Sequence, residues 1–141
     1  PYVDSILYAW HLGTMAGPAL SDLLLGVVSP SGKLPVTFLR AVGQIPLYYN
    51  KKNTGRPNEL INTSIHIILL DIDTTPLFPY GFGLSYSSFT YSDLKISKPT
   101  FKSGESINIT AVIKNDGQYK ADEIVFLFVR DLVGSYTRPV R

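Results

Sequence analysis

The stretch "PLFPYGFGLSY", Pro76 to Tyr86, constrains this chain more than any other, packing two prolines, two glycines and four aromatic residues into eleven positions. Pro76 and Pro79 stiffen the backbone and remove hydrogen-bond donors, which rules out a helix interior or a central strand here. Gly81 and Gly83 can take φ values closed to other residues. Phe78, Tyr80, Phe82 and Tyr86 offer large apolar area for burial. A segment of this kind is a ligand-binding loop, a phosphate cradle or a structural joint, and its flanks decide which.

Upstream the texture is α/β. "SILYAW", residues 5–10, is a short apolar run that reads as a buried strand. In "HLGTMAGPALSDLLLG", Gly17-Pro18 fits a helix start, with proline where its missing N–H is harmless. Ala19, Leu20, Leu23, Leu24 and Val27 recur at helical spacing, and Gly26 is a natural stop. Pro35 confines "KLPVTF" to an edge strand or extended connection. Residues 41–64, rich in Gly, Pro, Asn and Lys, read as a long loop. "IHIILLDID" reads as a second extended apolar run.

Downstream the texture is β only. "FTYSDLKIS", "ESINITAVIK" and "ADEIVFLFVRD" read as strands. Ile107, Ile109, Ala111 and Ile113 alternate with Asn108, Thr110, Val112 and Lys114, so one face is expected to be buried. Asn115-Asp116-Gly117 signals a hairpin. Three strands at this spacing open a β-sandwich, which needs about seven, so the second domain reads as unfinished at Arg141. The fold class expected is therefore α/β plus all-β, with residues 1–75 before the seam, 76–86 as an interdomain joint and 87–141 after it.

Composition narrows the function classes. With 45% hydrophobic and 17% charged residues among 141, the chain can fold. A net charge of +2, with no like-charge run longer than Lys51-Lys52, gives no footprint for nucleic acid or a membrane surface. There is no cysteine, hence no disulfide or thiolate chemistry. No segment reaches the roughly 18 apolar residues of a membrane span. A chain starting at Pro1, without a methionine or a leader, reads as an excised piece.

The residues carrying chemistry are few. Asp71 and Asp73 at i, i+2 on a strand would share a face about 7 Å apart, within the roughly 5–10 Å that glycoside hydrolysis uses; a polar strand end entering a turn explains them as well. His11 follows a tryptophan at a strand end and His66 interrupts an apolar run, but neither has a partner at metal-ligand spacing. No G-x-S-x-G elbow presents a serine. The "GFG" at 81–83 is a lone G-x-G, and "GTMAG" lacks Walker residues. "NTS" at Asn62 and "NIT" at Asn108 match the glycan-acceptor triplet and, being common by chance, carry no weight. No metal, cofactor or catalytic residue is expected within the chain.

Several stretches in order resemble the C-terminal part of glycoside hydrolase family 3: "AWHLGTMAGPALSDLLLGVVSPSGKLPVTF" (9–38), "VGQIPLYYNKKNTGRP" (42–57), "PLFPYGFGLSYSSFTYSDLKIS" (76–97) and "VRDLVGSYTRPVR" (129–141). The resemblance implies the end of an (α/β)6 sandwich domain followed by an incomplete fibronectin type III-like β-sandwich. It implies a retaining β-glucosidase whose aspartate nucleophile lies in a missing barrel and whose glutamate acid/base lies upstream of Pro1, so that this piece alone is inactive. "GTMAG" and "NTGRP" are similar to bacterial periplasmic β-glucosidases, which implies a periplasmic or secreted enzyme acting on a β-glucoside or oligosaccharide. Thr14 and Met15 then become candidate substrate-binding residues, on a strand-to-helix loop facing the cleft. The apolar "SIHIILLDID" departs from the tyrosine-bearing segment usual there. A non-catalytic carbohydrate- or protein-binding β-sandwich module is the alternative, with Tyr86, Tyr91, Tyr119 and Tyr136 as the aromatic face to inspect. A half-built sandwich would leave Phe126 and Phe128 open, making the isolated chain aggregation-prone or ordered only against missing neighbours.

Overall fold

The computed structural model describes residues 3–50, 72–136 and 138. These fall into two compact units, each built from two stretches of chain: Pro1–Pro30 with Ser85–Asp122, and Ser31–Leu84 with Glu123–Arg141. The chain passes between the units three times, at Pro30–Ser31, at Leu84–Ser85 inside the Pro/Gly/aromatic stretch, and at Asp122–Glu123.

The first unit holds the helix α1, Ala16–Leu24. It begins two residues before Gly17-Pro18 would place it, with Met15 as N-cap and Pro18 still inside the first turn, where its N–H has no partner to lose. Ala16, Leu20 and Leu23 form its less exposed stripe. The expected stop is real. Gly26 takes φ +73, its N–H bonds Leu23 O at 3.2 Å, and Val27 N–H bonds Asp22 O at 2.8 Å. Those two bonds form a Schellman motif.

Two strands follow in the same unit, β1 (Phe89–Ile96) and β2 (Ile109–Asn115), paired antiparallel from Phe89↔Asn115 to Ile96↔Ile109. Between Ser92 and Lys95 the register slips by one residue, and Asp93 at φ +52 sits in that bulge. The alternation in β2 does not translate into a buried face. Ile109 and Ile113 are 37% and 40% exposed, against 51% for Val112. Among the described residues this two-stranded ribbon has no second sheet layer to cover either side.

Two further expectations are corrected. Residues 5–10 form no strand and are mostly exposed, because among the described residues none lies alongside to receive their backbone hydrogen bonds. Asn115-Asp116-Gly117 does not join β2 to a third strand. Asn115 Oδ1 accepts from Gly117 N–H at 2.9 Å, and its Nδ2 donates to Tyr119 O at 2.8 Å. The side chain thus closes a local turn in place of a ladder.

In the second unit the extended segment around "KLPVTF" lies antiparallel to 77–82. Phe38 N–H bonds Phe78 O at 2.8 Å, Leu77 N–H bonds Phe38 O at 2.9 Å, and Gly81 N–H bonds Leu34 O at 2.8 Å. Pro35 interrupts the donors between these points, leaving a single bridge at Phe38↔Phe78. The expected long loop contains a 3-10 turn, Val42–Gln44, and its remainder from residue 51 lies outside the described residues, as does most of "IHIILLDID". "ADEIVFLFVRD" is extended but is not paired as a strand among the described residues. Phe126 and Phe128 stack on one side of it at 5.8 Å, against Tyr80 and Tyr49. No hydrophobic residue is buried among those described. No described helix is long and apolar enough to cross a membrane.

Candidate functional site

The loop entering α1 carries Thr14 and Met15, both exposed. Gly13 O accepts the Ala16 N–H at 3.0 Å, which turns the chain into the helix. Met15 caps without a side-chain hydrogen bond and is 68% exposed, because a thioether cannot accept from the first helical N–H groups as Ser or Asp would. Five residues before Met15, Trp10 stands at φ +54, half-exposed, with the Tyr8 ring edge-on at 4.6 Å. His11 beside it is exposed, and no metal-ligating cluster exists among the described residues. His66 lies outside them.

The carboxylate pair resolves to a turn at its described member. Asp73 Oδ1 accepts the Thr75 N–H at 3.0 Å, and the Thr75 backbone and hydroxyl, with Arg40 nearby, hold its carboxyl below the ordinary value. Asp71 lies outside the described residues, as does Asn62. Asn108 is exposed just before β2, its N–H on Ser97 Oγ at 3.0 Å and its carbonyl on Ser97 N at 2.9 Å. Tyr91, Tyr119 and Tyr136 are exposed, while Tyr86 donates its hydroxyl to Leu23 O at 2.8 Å.

Three polar clasps have no signature in the sequence. Ser29 Oγ bonds Ser85 Oγ at 2.9 Å and accepts the Tyr86 N–H at 3.0 Å. The amide of Gln44, only 7% exposed, reaches Asp73 O at 3.0 Å and Thr75 O at 3.1 Å while accepting the Arg40 N–H. Lys33 Nζ donates to Gly83 O at 2.8 Å and pairs with Glu123 at 3.3 Å. The only local hint was "GFG": Gly81 takes φ +79 in a turn closed by Phe82 N–H to Pro79 O, and Gly83 has no room for a Cβ against Gly32 O and Lys33. Both glycines are explained by backbone demands, without a phosphate.

Residues 1–86 match the glycosyl hydrolase family 3 C-terminal domain. The chain belongs to glycosyl hydrolase family 3. A "Periplasmic beta-glucosidase" of Salmonella typhimurium is 40% identical over 98% of this chain and 18% of its own length. A "Beta-xylosidase" of Formosa agariphila is 33% identical over 99% of this chain and 19% of its own. The crystal structure of a β-glucosidase from Listeria innocua in complex with gluconolactone matches with a TM-score of 0.77 and 38% identity, over 93% of this chain and 18% of that one. The chain thus spans under a fifth of the length of these family 3 relatives. Their likeness runs past Tyr86 and through both strands, beyond the family domain itself.

Proposed function

We propose that this chain is the C-terminal part of a retaining β-glucosidase, periplasmic or secreted, that removes terminal β-D-glucosyl residues from glucosides or oligosaccharides. In this reading residues 1–75 end the (α/β)6 sandwich, 76–86 join it to a fibronectin type III-like domain begun by 87–141, and the barrel and the rest of the sandwich are its partners. The observation that carries it is 40% identity over nearly the whole chain to a protein named as a periplasmic β-glucosidase. The nucleophile and the acid/base lie outside the chain. This agrees with Asp73 being engaged in a turn. Thr14 and Met15 line the sugar site from the loop before α1, where both are exposed.

The test uses the enzyme that carries this chain, with aryl β-glucoside and aryl β-xyloside as rival substrates. The reading expects glucoside preference and a β-configured first product, since retention proceeds through two displacements. Xyloside preference or an inverted product would reject it. A second reading, a carbohydrate-binding β-sandwich module, draws on the exposure of Tyr91 (48%), Tyr119 (59%) and Tyr136 (75%). Retardation of the chain by soluble glucans in affinity electrophoresis would favour that module.

A further inference from the structure

The family domain match ends at Tyr86, and β1 begins almost at once beyond it, at Phe89. A border between independent domains is crossed by few contacts. Here residues 85–87 bond in both directions, back to the end of α1 and forward to the end of the β1–β2 ribbon, all within the first compact unit.

The backward bonds meet the last turn of the helix, whose carbonyls have no intrahelical partner. Leu23 O accepts the Gly26 N–H at 3.2 Å and the Tyr86 hydroxyl at 2.8 Å. Ser29 Oγ accepts the Tyr86 N–H at 3.0 Å and shares a 2.9 Å hydrogen bond with the Ser85 hydroxyl. Ser29 is only 7% exposed, a burial that additional chain can only deepen. A hydroxyl buried in this way is costly to leave without its partners.

The forward bonds start from Ser87. Its N–H donates to Ser85 Oγ at 3.3 Å, and its hydroxyl donates to Asn115 Oδ1 at 2.7 Å and lies 3.0 Å from Tyr119 O. Asn115 closes β2 opposite Phe89, and the Asp116 N–H bonds Ser88 O at 2.9 Å. A Cβ on Gly117 would run into Ser87. One run of hydrogen bonds therefore leads from α1 through Tyr86, Ser29, Ser85 and Ser87 to the ribbon. We infer that Tyr86 and Ser29 are a latch that makes the end of α1 and the β1–β2 ribbon open and close as one cooperative element. The strands beyond the family domain are then no independent module. Proteins open locally in contiguous cooperative units of this kind.

Amide exchange in the enzyme that carries this chain tests the latch, read on residues 22–28, on 88–96 with 109–115, and on 33–40 as the reference. Tyr86→Phe deletes one hydroxyl and keeps the ring. It should speed exchange at the helix end and in the ribbon by a common factor of about fivefold, leaving the reference at the parent rate. Ser87→Ala, made on the ribbon side, should likewise speed exchange at residues 22–28, with which Ser87 makes no direct hydrogen bond. Acceleration confined to the side that carries the substitution overturns the latch, as does no change on either side. Equal acceleration of the reference means global unfolding and overturns it too.

Discussion

Lys33 and Glu123, 90 positions apart in the chain, form an ion pair at 3.3 Å with side chains only 12% and 14% exposed. Lys33 also donates to Gly83 O at 2.8 Å. One ammonium thereby ties the "SGKLP" segment, the Pro/Gly/aromatic stretch and the chain beyond Asp122 into one compact unit. Removing one member strands a poorly hydrated charge, which costs more than the pair itself contributes.

Lys33→Met should accordingly destabilise the enzyme that carries this chain by about 3 kcal/mol, and Lys33→Met with Glu123→Leu by clearly less. Denaturant unfolding of the single and double variants checks this. Equal losses would mean that the pair carries no charge coupling.

Gly83→Ala should be destabilising where Gly13→Ala is not. A Cβ on Gly83 meets Gly32 O and comes within 3.0 Å of Lys33 Cδ and 3.2 Å of Lys33 Cα, whereas nothing lies within 4 Å of one on Gly13. The backbone around Gly83 must shift, at about 1–3 kcal/mol, while Gly13→Ala stays within about 0.5 kcal/mol. Melting temperatures of the two variants give the comparison.

Phe82→Ala should lower stability more than it alters sugar affinity. Phe82 stacks on Phe78 at 4.8 Å, and Phe78 lies 6.5 Å from Phe38, so the ring belongs to an aromatic cluster of its own unit. With the ring partly exposed, a loss of about 1–2 kcal/mol is expected, with KM near the parent value. A raised KM at unchanged stability would return the stretch to a binding loop.

Acid should loosen the β1–β2 ribbon through Asp116. Lys114, at 2.5 Å, and then Thr90 hold the Asp116 carboxyl below its ordinary 3.8, and Asp116 in turn raises Lys114. A carboxyl depressed by folding adds stability above its unfolded value and loses it as pH falls through the folded one. Lys114 behaves oppositely, its share being lost only as pH rises through its raised value. The ribbon should therefore weaken below about pH 3.8, and Asp116→Asn should flatten part of that acid limb. Amide exchange in β1 and β2 against pH reads this, and an unchanged limb would remove Asp116 from the account.

What the sequence disclosed was local. The helix was legible because apolar spacing and Gly26 act within a few residues, and β1 and β2 because alternation does the same. The run 121–131 had the composition of a strand yet forms no ladder among the described residues, since a strand is made by a neighbour that composition does not name. The start of α1 moved to Ala16 because Pro18 is tolerated throughout the first turn, not only at its first position. Lys33–Glu123 and the Gln44 clasp join residues far apart in sequence, and no pattern announces them. The stretch at 76–86 is legible in hindsight at its glycines: Gly81 by its φ and Gly83 by the carbonyl it approaches.

The central claim is that a family 3 chain of this extent lacks its own chemistry, the reacting carboxylates being supplied from elsewhere in the enzyme. Assaying this 141-residue chain on an aryl β-glucoside tests it most directly. The account predicts no turnover above a buffer blank. Turnover by the purified chain, abolished by Asp73→Asn, would contradict it.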